Sequence, residues 1–177
     1  MAGSIPKVVR RRVLYAETFR KEEEMRRKFA DMKIKRLTLE EFNYIYSKVP
    51  RLTLELIVKN GDGIVLTKRD IEPYKGYWHI PGGTLLLRET IKGAIQRIAK
   101  EEIGTKVKVE AMIGCIEYLN EEEFKGIGQG IALEFLVTPL STEFKGSWQG
   151  EEVKTWYKLP KHLIKEHRKF LKENNLL

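Results

Sequence analysis

The sequence predicts an α+β fold, a mixed β-sheet sandwiched between helices with an extra helical arm at the N-terminus. Three observations predict it. Two β-rich runs, "RLTLELIV" and "IVLTKR", flank Asn60-Gly61-Asp62-Gly63, which is tight-hairpin chemistry. "RETIKGAIQRIAKEEIG" repeats apolar residues at Ile91, Ala94, Ile95, Ile98 and Ala99, a helical spacing that Gly104 ends. Strand-like runs then resume in "KVKVEAMIGCIEYL", "GIALEFLVTPL" and "EEVKTWYKL". Strands on both sides of a one-faced helix are buried most simply as a sheet with helices packed on it.

In chain order, residues 1–36 form a basic helical extension. Its stretch "AETFRKEEEMRRKFADMKIKR" has a thin apolar stripe of Phe19, Met25, Phe29 and Met32. A short helix follows in "TLEEFNYIYSKV": Thr38 and Glu41 make a capping box, and Pro50 ends it. After the hairpin, "GYWHIPGG" reads as a short strand running into a Gly82-Gly83 turn. An acidic, glycine-containing loop joins the two long strands behind the central helix. The last segment, "PKHLIKEHRKFLKENNLL", is a basic amphipathic helix with Pro160 in its first turn and Leu163, Ile164 and Phe170 facing the domain.

A chain of 177 residues suits one well-cored domain, here 37–177, plus the extension. A 42% hydrophobic and 33% charged composition is globular rather than disordered. One cysteine, Cys115, excludes an intrachain disulfide and fits a reducing compartment. No apolar run approaches the roughly 18 residues of a membrane span, and nothing resembles a secretion signal, so a cytoplasmic location without membrane partners is expected. The charge is uneven. Residues 1–36 carry 12 Lys/Arg against 5 Asp/Glu, while 37–177 carry 21 against 20. A basic arm is able to bind nucleic acid, but a solvated or partner-contacting extension is the favoured reading.

The chemistry concentrates in "PGGTLLLRETIKGAIQRIAKEEIG". On a helix, residues four apart share a face, so Glu102 projects beside Ile98 and Glu101 beside Arg97. Carboxylates near an exposed backbone carbonyl are hard oxygen donors of the kind magnesium prefers, with manganese as a substitute. Gly83, Glu89, Arg97, Glu101, Glu102 and Gly104 match G-x5-E-x7-R-E-U-x-E-E-x-G-U at six of its seven fixed acidic, basic and glycine positions. That pattern resembles the Nudix hydrolase superfamily. The seventh position is Ile98, where most members have a glutamate. With "LTLEEFNYIYSKVPRLTLELIVKN" and "TKRDIEPYKGYWHIPGG", that substitution resembles the GDP-mannose mannosyl hydrolase branch over about Leu37 to Trp156.

The resemblance implies one magnesium held by the Gly82 carbonyl, by Glu102 with Glu101 beside it, and by a late-loop residue, Gln149 or else Glu151 or Glu152. It implies that Arg69 clamps a substrate diphosphate and that Glu55 contacts a sugar. The arginine that follows the double glycine in that branch is Thr84 here. Its late-loop histidine base is absent, and Glu151 or Glu152 would have to serve; His79, His162 and His167 do not align with it. The implied activity is magnesium-dependent hydrolysis of a nucleoside diphosphate linked to another moiety, favourably a nucleotide sugar such as GDP-mannose. The alternatives are an ADP-ribose or nucleoside triphosphate pyrophosphatase, and a catalytically silent Nudix-fold module that binds RNA or protein. A homodimer is compatible with the resemblance.

Overall fold

The computed structural model describes residues 36–72, 74–119, 129–146 and 152–177. The N-terminal extension up to residue 35, the acidic loop 120–128, Gln149 and Glu151 lie outside them. Helix α1 (Leu39–Tyr46) starts as the sequence predicts. Thr38 Oγ1 accepts from Glu41 N at 3.2 Å and Glu41 Oε2 accepts from Thr38 N at 2.8 Å. It buries none of its own residues.

Strands β1 (Arg51–Asn60) and β2 (Gly63–Lys68) form the expected hairpin, with Gly61 at φ 59° in its turn. The two strands are zipped only near that turn, over Val58–Val65 to Asn60–Gly63. Beyond it they part. β3 (Trp78–His79) pairs with the far end of β2, and β4 (Gly82–Thr84) pairs with the near end of β1. The opposite edges of both hairpin strands are already taken. Helix α2 (Ile91–Ile103) follows, then β5 (Val107–Tyr118), β6 (Gly130–Pro139) and β7 (Glu152–Trp156). β6 runs parallel to β1, and β7 runs antiparallel to β2. The segment 78–84 is therefore a strap inserted into the splayed end of the hairpin. The chain ends in helix α3 (Lys165–Glu173).

The sheet order β3-β2-β1-β6-β5 makes a mixed sheet with one core on each face. Alternation along β1 sorts its side chains between them. Leu54, Leu56 and Val58 join Val65, Phe135 and Val137 beneath Ala94, Ile95, Ile98, Ala99 and Ile103 of α2. Ile57 joins Ile64, Leu66, Trp78, Ile80 and Ile116 beneath Leu163, Phe170 and Leu171 at the C-terminus. The α+β sandwich expected from the sequence is thus the fold.

Two boundaries differ from expectation. Gly82 and Gly83 do not form a turn; both are strand residues of β4. The last helix begins at Lys165 rather than at Pro160, because Trp78 N donates to His162 O and Ile164 N donates to Trp78 O, which holds 162–164 extended against the strap.

Candidate functional site

The site is assembled around α2. Thr90 caps it by accepting from Gly93 N at 3.0 Å, and Gly104 ends it at φ 75° in the left-handed region. Arg97 ties three elements together. Its Nε and Nη2 each donate to Glu89 at 2.8 Å, its Nη2 also donates to the Thr84 carbonyl at 2.9 Å, and its Nη1 donates to Glu101 at 3.1 Å. The two-pronged bond lowers the Glu89 pKa and raises that of Arg97. With the Glu89 side chain only 8% exposed, the pair anchors the loop before the helix to the helix itself. Glu101 also pairs with Arg36.

The register of β4 decides where the glycine carbonyl points. Leu56 N donates to Pro81 O at 2.8 Å and Leu85 N donates to Leu52 O at 3.1 Å. In an antiparallel ladder bonded and non-bonded pairs alternate. Glu55–Gly82 and Thr53–Thr84 are then non-bonded pairs, and both carbonyls turn away from β1. The Thr84 carbonyl meets Arg97 on that outer edge, and the Gly82 carbonyl shares the edge.

Gly82 is needed for space, and Gly83 leaves little. A Cβ on Gly82 would lie 2.8 Å from Glu55 Cγ, and one on Gly83 would lie 3.1 Å from Ile98 Cγ1. Ile98 therefore seals α2 against β4 and is 1% exposed. Glu102, one turn further, is half-buried. Among the described residues no group of three His, Cys, Asp or Glu side chains is arranged to hold a metal. A divalent ion here would need the Gly82 carbonyl, which faces away from β1, together with carboxylates from α2. That hard-oxygen donor type fits magnesium.

The other sequence-derived candidates fall as follows. Arg69 N donates to Tyr77 O and Arg69 O accepts from Gly76 N, closing the loop between β2 and β3. The Arg69 charge reaches His79. Glu152, at the start of β7, pairs with Lys68 at 3.4 Å on the surface. Gln149 and Glu151 lie outside the described residues. Glu55 turns toward the α3 face and is buried.

Glu55 belongs to a polar network that sequence reasoning missed. Tyr118 Oη donates to Glu55 at 2.9 and 3.0 Å. His167 Nδ1 accepts from Ile80 N at 3.0 Å, so its hydrogen sits on Nε2. That nitrogen lies 2.6 Å from Tyr118 Oη and 3.1 Å from Glu55 Oε2. Burial pushes the Glu55 carboxyl up, but His167 and the bond from Tyr118 outweigh it and hold the carboxyl below its ordinary range. The Tyr118 hydroxyl is pushed well up, by burial and then by the Glu55 charge.

Next to Glu55 on the parallel strand is Glu134, fully buried. Burial first, then the Glu55 charge, push its carboxyl up to about 11, so it stays protonated at neutral pH. Neither of its oxygens has a hydrogen-bond partner of ordinary geometry. The contact with Glu55 is better described as a neutral acid beside a charged one than as a hydrogen bond. His79 completes the cluster. Its Nδ1–H donates to Ile80 O and its Nε2 accepts from Thr67 Oγ1, both at 2.9 Å. Burial is the largest cause of a pKa lowered to about 3, with the Arg69 charge adding to it, so His79 is neutral.

Two signals could have exposed this network. Glu134 interrupts the apolar run "IALEFLV", and His167 stands four residues after Leu163 and three before Phe170, on the helix face that packs inward.

The Glu134 shift has a sign. The folded state holds a proton between 4.5 and about 11 that the unfolded chain releases, so this residue's contribution is present below 4.5 and lost as pH rises. Glu134→Gln removes the titration. Urea unfolding at pH 5 and pH 8 is expected to show the variant gaining stability over the wild type with rising pH, on the order of 1 kcal/mol per pH unit. A difference independent of pH refutes this.

A family model described as a NUDIX domain matches residues 49–174. Over 89 residues the chain is 35% identical to the low-salt glycan biosynthesis protein Agl8 of Haloferax volcanii, covering 50% of this chain and 57% of that one. The chain thus spans little more than half the length of that relative. Over 126 residues it is 29% identical to the ADP-ribose pyrophosphatase of Methanocaldococcus jannaschii, covering 70% and 72% of the two chains. The fold is shared with the crystal structure of the MutT NUDIX hydrolase from Burkholderia pseudomallei. There the TM-score is 0.63 at 22% identity, over 70% of this chain and 97% of that one.

Proposed function

The chain belongs to the NUDIX domain family, and from that premise we propose that it is a magnesium-dependent hydrolase of a nucleoside diphosphate linked to another moiety, with a nucleotide sugar as the favoured substrate. The observation that supports this is the Gly82 carbonyl, turned out of the β1 ladder on the edge where Arg97 of α2 meets the Thr84 carbonyl, with Glu102 one turn beyond Ile98 on the same helix. Magnesium bound there would neutralise the substrate diphosphate.

The chain's own residues supply the rest. The Arg97–Glu89 pair fixes α2 against the end of β4, so the two donor types keep a constant relation. Arg69 would grip the diphosphate with its guanidinium fork. The resemblance gives Glu55 a contact with the sugar; its carboxylate is buried on the α3 face, so that contact would require its bonds to Tyr118 and His167 to give way. Glu152 or Glu151 would take the proton from the attacking water.

A second reading has its own support: the relative from Methanocaldococcus jannaschii is named an ADP-ribose pyrophosphatase. The glycan-biosynthesis name of the Haloferax relative favours the nucleotide sugar. The two are separated by incubating the protein with magnesium and GDP-mannose, other nucleotide sugars, ADP-ribose and nucleoside triphosphates, in isotopically labelled water. Label in the released sugar means attack at carbon. Label in a phosphate means attack at phosphorus and favours the pyrophosphatase. No turnover of any compound, and none restored by manganese, overturns both readings and leaves the binding module.

A further inference from the structure

Pro81 leaves a gap in the strap. Lacking an N–H, it makes no donor bond to β1, so the ladder holds this turn only through Pro81 O and Leu56 N. The peptide units on either side of Ile80 are each secured by an imidazole instead. His167, from α3, accepts the Ile80 N–H, and His79 donates to the Ile80 carbonyl. Both rings are themselves fixed, His167 by Tyr118 and Glu55, and His79 by Thr67. Gly82 follows two residues later, and its carbonyl direction depends on how the strap enters β4.

We propose that His167 is a positioning residue: its Nδ1 holds the Ile80 amide so that the Gly82 carbonyl faces the α2 carboxylates. This rests on the hydrolase reading above, because it concerns the donor that reading gives to the metal. Only the neutral ring with hydrogen on Nε2 performs the task, since a hydrogen on Nδ1 would face the Ile80 N–H. Tyr118 and Glu55, both acceptors for Nε2–H, select that form. Burial of His167, 3% exposed, excludes water as a substitute acceptor for Ile80.

The test separates this role from ordinary packing by moving the acceptor. His167→Asn keeps an acceptor near the Nδ1 position and loses the reach to Tyr118. His167→Gln keeps the reach and removes the acceptor from Ile80. Three readouts apply: nitrogen NMR of the wild-type imidazole, hydrogen exchange at the Ile80 amide without metal, and manganese binding followed by electron paramagnetic resonance without substrate. The wild type is expected to carry hydrogen on Nε2 and a protected Ile80 amide. His167→Gln is expected to lose that protection and to bind manganese about 10-fold more weakly, the usual effect of removing an outer support of a metal site. His167→Asn is expected to stay within about threefold of the wild type.

Hydrogen on Nδ1 in the wild type overturns the inference whether or not the variants fold. So does a Gln variant that binds manganese like the wild type, or an Asn variant as weak as Gln. A wild-type protein that binds no manganese while its Ile80 amide is protected as described overturns the metal reading itself. In that case the tether is shown to exist without the role assigned to it.

Discussion

Glu102→Gln is expected to reduce kcat on the best substrate by about 100-fold or more while leaving thermal unfolding unchanged. The amide keeps the shape of the side chain and removes its charge. A ligand that loses its charge gives up most of what it contributes to a hard divalent ion. A 100-fold loss corresponds to about 2.7 kcal/mol of transition-state stabilisation, a moderate share of what such electrostatic arrangements supply. Glu102 is half-buried at the C-terminal end of α2, and the amide keeps its size and polarity there, so no collapse should accompany the change. Glu101→Gln makes the comparison, because Glu101 is held by Arg97 and Arg36 and its loss should reduce the rate less. Steady-state kinetics with circular-dichroism melting checks both. A Glu102→Gln rate within a factor of three of the wild type removes the basis for the metal assignment.

Ile98→Glu is expected to destabilise the domain by about 4 kcal/mol and to lower its melting temperature by about 10 °C or more, even though it completes the sequence pattern. Ile98 is 1% exposed, lies in the core beneath α2 and touches Gly83 across the interface. Burial of such a side chain contributes about 1.5–3 kcal/mol. A carboxyl in its place adds the cost of a buried polar group without a partner. The added acid would also stand close to Glu102, and like charges on one helix face repel. Differential scanning calorimetry decides. A variant that melts like the wild type, or binds manganese more tightly, means that the position opens onto the site and that its isoleucine is not structural.

Local signals made much of this fold legible. The Asn60–Gly63 turn, the Thr38–Glu41 box and the Gly104 stop each depend on a few adjacent residues, and each appears where the sequence predicts it. The Arg97–Glu89 pair was implicit in the spacing of the motif. What stayed hidden depends on residues far apart in sequence. Gly82 and Gly83 look like turn formers, yet pairing with β1 draws them into a strand. His167 reads as one polar residue of a basic helix until α3 packs beside Ile80, 87 positions earlier. Glu134 carries no role in the local pattern, because its burial depends on pairing with Glu55, 79 positions earlier, and on helix α3 closing over that face.

The splayed hairpin also has a consequence for assembly. Its turn can zip within a contiguous stretch, but the wedge between its arms is seated by backbone bonds to residues 162–164. Contacts of that sequence separation form late, since a long loop must close before they stabilise anything. The β2–β7 pairing spans a similar separation, so a growing polypeptide would complete its sheet and seat the wedge only once its C-terminal segment is available. Maturation of the centre would wait on the tail, and clipping the tail would strip Leu163, Phe170 and Leu171 from the second core together with the anchor of the wedge.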